Sequence, residues 1–146
     1  MIYLDASVVF SLHFRDRHTA EALDLVGNAT EILVVSDLCE METANAFALR
    51  VFRGEMTKRS MDNSLRNLES NIRSGFLLFR PIPEGVFTRA KALSRKITPS
   101  IGVRTADLLH IAAAFELSAK SLYTFDVRQH SAAKAAGLSV NLLQAG

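Results

Sequence analysis

The sequence has few cysteines and aromatic residues and no long apolar run, and each shortage limits what the protein can be. A single cysteine, Cys39, excludes a disulfide within the chain and fits a protein of the reducing cytoplasm. With nine Phe, two Tyr and no Trp, base stacking can contribute only a little to any binding of nucleic acid. No apolar run approaches the roughly 18 residues of a membrane-spanning helix, so no membrane association is expected.

Length and composition predict one globular domain. The 146 residues are 49% hydrophobic and 22% charged, which excludes a disordered chain. Seventeen Lys and Arg against fifteen Asp and Glu leave a net charge of +2, too small to argue for or against a nucleic-acid partner. We therefore predict a single domain over residues 1–146.

Short apolar runs alternate with longer helical patterns along the chain. This alternation is typical of βαβ units, and it predicts a three-layer α/β/α sandwich around a mostly parallel sheet of about five strands. In such sheets, ligands bind beyond the carboxyl ends of the strands, near the switch in strand order. The predicted strands cover residues 2–4, 32–35, 76–79, 122–125 and 138–142, and the main helices cover about 16–26, 37–53, 57–74, 84–96, 104–119 and 128–136.

Two acids directly follow predicted strands. Asp5 comes after the first strand, and Asp126 closes the run Thr-Phe-Asp after the fourth. Either carboxylate can simply cap the helix that follows it. Both also lie at the edge of the sheet where ligands bind, so a functional role stays open for each.

A third acid, Asp107, lies in a helix that is apolar on nearly every face. Such a helix should be buried, and a buried carboxylate without partners is costly. The alternative is an acid in the first helical turn, stabilised by the helix dipole by about 0.3–1 kcal/mol.

The fourth candidate is Glu42, in the helix that follows the second strand. Glu40 and Glu42 are two residues apart and must point to different faces of that helix. Glu42 shares its face with Asn45, three residues on. This polar pair suits a site and an exposed helix face equally well.

The four acids together make a stronger case than any one alone. If they converge, each close pair repels by about 4 kcal/mol at 4 Å with an effective dielectric constant of ~20, so a cation must offset the charge. The four histidines (His13, His18, His110 and His130) are scattered, which disfavours a zinc site. Carboxylates alone favour Mg²⁺ or Mn²⁺, and such an ion suits hydrolysis of a phosphodiester.

Four motifs resemble those of the PIN domain family, and within it the VapC-type toxins of toxin–antitoxin pairs. They are Asp-Ala-Ser at 5–7, Glu-Thr-Ala-Asn at 42–45, Arg-Thr-Ala-Asp-Leu-Leu-His at 104–110 and Thr-Phe-Asp at 124–126. The resemblance implies an endoribonuclease that uses Mg²⁺ or Mn²⁺ and cleaves single-stranded or structured RNA. It maps the metal-binding and catalytic acids onto Asp5, Glu42, Asp107 and Asp126.

The resemblance also implies supporting residues and partners. Ser7 and Thr124 would be small hydroxyls near the metal or its waters, and Asn45 a polar neighbour of Glu42. A homodimer is expected, as is a cognate VapB-type antitoxin that lays a helix into an apolar groove and presents a basic side chain to the acids. Among the basic residues, Arg104 is the best candidate to hold a phosphate, because it lies one turn ahead of Asp107.

Three other functions remain to be weighed. A PIN-like module could bind RNA or a partner without cleaving anything. A haloacid-dehalogenase-like phosphatase would carry an Asp-x-Asp motif after the first strand, but this chain has Ser7 in place of the second acid. A phosphoacceptor receiver domain would need an acid pair after the first strand and a lysine after the last, and neither is present.

Overall fold

The short apolar runs of the sequence form the central sheet. The computed structural model describes residues 1–144, so the last two residues of the predicted domain lie outside the described part. Within it, five strands form an all-parallel sheet in the order β3-β2-β1-β4-β5, which confirms the predicted fold class. The strands are β1 (Ile2–Leu4), β2 (Leu33–Ser36), β3 (Leu78–Arg80), β4 (Ser121–Tyr123) and β5 (Ser139–Val140).

Seven helices connect and cover these strands in the described part of the chain. Several begin at the caps that the sequence predicts: Ser36 accepts a hydrogen bond from the amide of Cys39, and Thr57 accepts one from Ser60. None of the helices found between residues 1 and 144 has the length and apolarity needed to cross a bilayer. They are α1 (Ala6–His13), α2 (Thr19–Gly27), α3 (Asp37–Phe52), α4 (Lys58–Arg73), α5 (Val86–Ile101), α6 (Thr105–Glu116) and α7 (Val127–Ala136).

The two faces of the sheet carry separate cores because side chains alternate along each strand. Ile2 and Leu4 point to the face covered by α1–α4, where Cys39 is also buried. Tyr3 points to the opposite face, which α5, α6 and α7 cover with residues such as Ile111. The result is the three-layer arrangement.

The two largest differences at helix boundaries each have a local explanation. Helix α2 begins at Thr19, and not at Asp16, because the Asp16 carboxylate accepts a hydrogen bond of 2.8 Å from the amide of His18 and holds a turn there. Helix α5 continues through Pro99 to Ile101, where an end near residue 96 was expected. Gly102, with φ of 71°, ends it by donating to the carbonyl of Thr98 at 2.8 Å.

The strand order reverses at β1, which lies between β2 and β4. The chain builds outward from β1 to β3, and then returns to place β4 on the other side of β1. The carboxyl ends of β1 and β4 therefore lie side by side at the switch point, where ligands bind in sheets of this kind. Asp5 follows the first of these ends, and Asp126 follows the second.

His13 joins helix α1 to helix α4 in the interior. Its Nδ1 donates to the carbonyl oxygen of Val9 at 2.7 Å, and its Nε2 accepts from the Nδ2 amide of Asn71 at 2.8 Å. Burial lowers the pKa of His13, although the hydrogen bond to Val9 opposes the shift. The folded protein therefore resists protonation of this ring more than the unfolded chain does.

We expect acid to weaken the fold through His13. As pH falls below the ordinary histidine value of ~6.5, the unfolded chain binds a proton that the folded protein does not, so the free energy of unfolding decreases by up to about 1.4 kcal/mol per pH unit. The contribution of neutral His13 to the free energy of unfolding is fully present above that pH, and it is lost as the pH falls toward the folded-state pKa of His13. His13→Gln should flatten this slope in urea titrations between pH 7.5 and pH 5.5. An unchanged slope in the variant would contradict the assignment.

Candidate active site

A cleft of about 660 Å³ opens at the carboxyl edge of the sheet, between the first turn of α1, one face of α3 and the start of α6. Three of the predicted site residues do not line this cleft but contact residues that do: Asp5 and Thr124 contact Ser7, and Asp126 contacts Arg104. The fold thus gathers the predicted site residues at one edge of the sheet. Those that line the cleft are Ser7, Glu42, Asn45, Arg104 and Asp107.

Asp5 is a buried carboxylate, with only 4% of its surface exposed. Its Oδ1 accepts from the amide of Val8 at 3.2 Å, which makes it the N-cap of α1, as one interpretation of the sequence predicts. Ser7 Oγ donates to the same oxygen at 2.7 Å, and Thr124 Oγ1 donates to Oδ2 at 2.7 Å. Capping is therefore only part of what this carboxylate does.

The burial of Asp5 raises the pKa of its carboxyl group. The nearby His110 and the hydrogen bonds from Thr124, Ser7 and Val8 pull the pKa in the opposite direction. Desolvation is the largest effect, so a charge at this position is costly for the fold.

The backbone and the side chain of Thr124 are both held by hydrogen bonds. Its amide donates to Asn141 Oδ1 at 2.8 Å, and its carbonyl accepts from Asn141 Nδ2 at 3.0 Å. Its hydroxyl oxygen accepts from the amide of Asp126 at 3.0 Å. Beside it, Ser7 Oγ accepts from the amide of Phe125 at 2.9 Å. The two hydroxyls thus tie the segment after β4 to Asp5.

Arg104 links two of the predicted acids. Its Nε donates to Asp107 Oδ2 at 3.1 Å, and its Nη2 donates to Asp126 Oδ2 at 3.0 Å. Asp107 is buried in the first turn of α6, as predicted, whereas Asp126 is partly exposed and caps α7 through the amide of Gln129 at 2.8 Å. The Arg104 side chain is 64% exposed, so this cation neutralises the pair from the solvent side.

Glu42 is the glutamate that faces the cleft, and Glu40 is not among the lining residues. Oε2 of Glu42 lies 2.7 Å from Nε2 of His110, a buried residue of α6. About a third of the Glu42 side chain is exposed. The same face of α3 carries Asn45 into the cleft.

The donor chemistry of the site fits a hard divalent cation, but the side chains are not gathered as metal ligands. All four predicted ligands offer carboxylate oxygens, and a guanidinium already bridges two of them. In the part of the chain that the structure describes, no three His, Cys, Asp or Glu side chains are grouped so as to hold a metal ion. The roles of the acids as metal ligands stay a prediction.

Several residues at the cleft were not predicted as site residues. Arg50 and Arg53 line it, as do His18 and Phe125, whose rings stack 4.6 Å apart at an interplanar angle of 10°. Arg53 could have been found, because it lies eleven residues, or about three helical turns, after Glu42 on the same face of α3. The clamp formed by Asn141 has no local sequence signal.

Several solved structures share the fold of this chain, and one of them is a toxin. The chain is 16% identical to the sarcin–ricin loop cleaving toxin VapC20 of Mycobacterium tuberculosis, with a TM-score of 0.64 over 94% of this chain and 96% of that one. It is 19% identical to FitAcB of Neisseria gonorrhoeae, with a TM-score of 0.64 over 96% of each chain. Identities this low show a shared fold.

A third similar structure is VapBC2 of Rickettsia felis bound to a DNA fragment from its promoter, at 16% identity and a TM-score of 0.66 over 97% of this chain and 98% of that one. Comparison with curated protein sequences finds no match. The sequence profile of the PIN domain matches residues 2–135, nearly the whole chain. With that match and the parallel sheet described above, the chain belongs to the PIN domain family.

Proposed function

We propose that the protein is a divalent-metal-dependent endoribonuclease that acts in the cytoplasm as the toxin of a type II toxin–antitoxin pair. The observation that carries this proposal is the set of predicted acids at one sheet edge, beside an open cleft with exposed arginines. Membership of the PIN domain family and the fold shared with VapC20 support it.

The residues proposed to hold Mg²⁺ or Mn²⁺ are Asp5, Glu42, Asp107 and Asp126. When bound, such an ion activates water and offsets charge on the phosphate oxygens of an RNA substrate. The chain's own contribution is to hold Asp5 in place through Ser7 and Thr124, so that the carboxylate cannot rotate away. Asn45 lies beside Glu42 at the cleft and is proposed to contact the substrate.

Arg104 is proposed to have two uses. Its guanidinium is a cation placed between Asp107 and Asp126, which supports the idea that this position takes positive charge. Since the side chain is mostly exposed, it can leave the acids and contact an RNA phosphate, the role predicted from its sequence position. Arg50, on the facing helix α3, and Arg53, which caps the end of that helix, would hold neighbouring phosphates.

A protein partner and a second copy of the chain belong to the same proposal. VapBC2 and FitAcB, which share the fold, support a cognate antitoxin of the VapB type. Its expected basic side chain would meet the acids at the position that Arg104 occupies. We further propose that the chain forms a homodimer.

One observation favours a different function, that of a PIN-like module which binds RNA or a partner without cleavage. Within residues 1–144, the predicted acids do not form a group able to hold a metal ion. An RNA cleavage assay distinguishes the two functions, because a module that only binds leaves the RNA intact.

We expect purified protein to cleave RNA with Mn²⁺ and to stop when excess EDTA is added. Asp5→Asn and Asp107→Asn should each reduce the rate by more than about 100-fold, because each removes a charge at the reacting centre. The melting temperature of metal-free Asp5→Asn should be at least as high as that of the metal-free wild type, since the substitution removes a buried charge. Asp62→Asn, an exposed change on α4, is the matched control. Cleavage that survives chelation, or is unchanged in both variants, would refute the proposal.

Removing the resident cation should favour binding of a metal ion. We expect Arg104→Gln to lower the melting temperature of the metal-free protein and to tighten Mn²⁺ binding by about twofold to fivefold, as exposed ion pairs are weak. Titration of free Mn²⁺ by electron paramagnetic resonance measures the affinity. Arg73→Gln, at an exposed position in the last turn of α4, should change neither quantity. Weaker Mn²⁺ binding by Arg104→Gln would show that Arg104 does not compete with the ion.

Arg53 provides a test of how RNA is held. Arg53→Gln should raise KM and leave kcat unchanged. The residue lines the cleft about three helical turns from Glu42, so it would hold the RNA without contacting the reacting centre. Loss of one phosphate contact to a single strand should reduce the slope of log affinity against log salt by about 0.7. Filter-binding titrations at several salt concentrations measure the slope, with Arg73→Gln again as control. An unchanged slope would place the phosphates elsewhere.

A further inference from the structure

A chain of buried hydrogen bonds holds the carboxylate of Glu42 from beneath. His110 Nε2 lies 2.7 Å from Glu42 Oε2, and the His110 ring is 1% exposed. Its Nδ1 lies 2.8 Å from the hydroxyl of Tyr3, in the middle of strand β1. The ring therefore connects a side chain at the cleft to the interior of the sheet.

The chain continues from Tyr3 into the neighbouring strand. The Tyr3 hydroxyl lies 2.6 Å from Ser36 Oγ, which caps α3 by accepting from the amide of Cys39 at 3.1 Å. Tyr3 and Ser36 are both fully buried. The His110 ring is thus anchored to the two strands β1 and β2, and through Ser36 to the start of the helix that carries Glu42.

For a neutral His110 ring, counting hydrogens gives the direction of every bond in this series. A carboxylate can only accept, so His110 must donate from Nε2, and in a neutral ring Nδ1 is then an acceptor. Tyr3 therefore donates to Nδ1, and Ser36 donates to Tyr3. Burial raises the pKa of Tyr3 well above its usual range, so the phenol keeps the proton that it donates. Each donor in this series of hydrogen bonds then has one acceptor.

We propose that His110 is a positioning residue: its Nε2–H fixes the Glu42 carboxylate at the cleft, through a hydrogen-bond chain anchored in β1 and β2. The inference rests on the proposed function, because it assigns Glu42 to the reacting centre. A histidine that only packs needs no particular nitrogen aimed at the cleft. Here one ring nitrogen meets the single predicted acid on α3, and the other nitrogen sets the tautomer.

Two amide variants separate the two ring nitrogens. The side-chain amide of His110→Gln reaches the position of Nε2 and can still donate to Glu42, whereas that of His110→Asn reaches only the position of Nδ1. We expect His110→Asn to lose about 10- to 100-fold in kcat with little change in KM, and His110→Gln to retain most of the wild-type kcat. Both variants bury an amide in the same place, so equal losses would point to packing and overturn the proposal.

The double variant with Glu42→Gln tests whether His110 acts through Glu42. If it does, adding His110→Asn to Glu42→Gln should cause no further loss of kcat. Independent, multiplying losses would overturn the proposal.

A third measurement does not depend on catalytic activity. Long-range ¹H–¹⁵N spectra of histidine-labelled protein should show a proton on Nε2 of His110, and this signal should move in Glu42→Gln. A bare Nε2, or a signal that ignores the change at Glu42, would overturn the proposal. Should the wild type bind no Mn²⁺ and cleave no RNA, the proposed function fails, while these spectra still decide whether His110 holds Glu42.

Discussion

The arrangement of the site depends on the burial of the Asp5 carboxylate. A carboxylate that is 4% exposed has lost nearly all its water, and the protein must supply other donors. It supplies the amide of Val8 and two hydroxyls, one from α1 and one from the segment after β4. These donors can meet only because the strand order places β4 directly beside β1. The topology of the sheet is thus what makes the buried charge tolerable.

The remaining acids are supported in two different ways. Glu42 meets a buried histidine whose position the sheet determines, whereas Asp107 and Asp126 meet an arginine that is mostly in solvent. In both cases the partner is a donor from the chain itself. These internal donors offset part of the mutual repulsion of the carboxylates that collect at this edge of the sheet.

The sequence predicted the layers and the positions of the acids because both have local signals. Asp5, Asp107 and Asp126 lie at helix starts, and caps and strand ends can be recognised from short stretches. What connects them could not be predicted. Arg104 reaches an acid 22 residues away, and Asn141 clamps Thr124 from 17 residues away. Such pairs depend on how α6, α7 and the end of the chain pack, which no local pattern specifies.

The same reasoning accounts for the helix that was predicted too short. Pro99 lacks an amide hydrogen and locally favours an end to the helix, but the buried residues Val86, Ala90 and Ile97 keep α5 packed on the core, and Gly102 ends it later. Tertiary packing prevails over the local signal there. Packing of this kind brings Arg104, two residues after Gly102, to the acids. The length of α5 therefore contributes directly to the electrostatics of the cleft.

The contrast between buried and exposed support divides the site into a rigid half and an adjustable half. Apart from the bond from Ser7, the hydrogen bonds to Asp5 and Glu42 come from buried groups (Val8, Thr124 and His110), and salt weakens them little. The ion pairs of Arg104 are exposed, and such pairs contribute only about 0.2–1 kcal/mol. A cation, a phosphate or a basic side chain that enters the cleft will therefore rearrange the α6–α7 side first, while the β1–α3 side keeps its geometry.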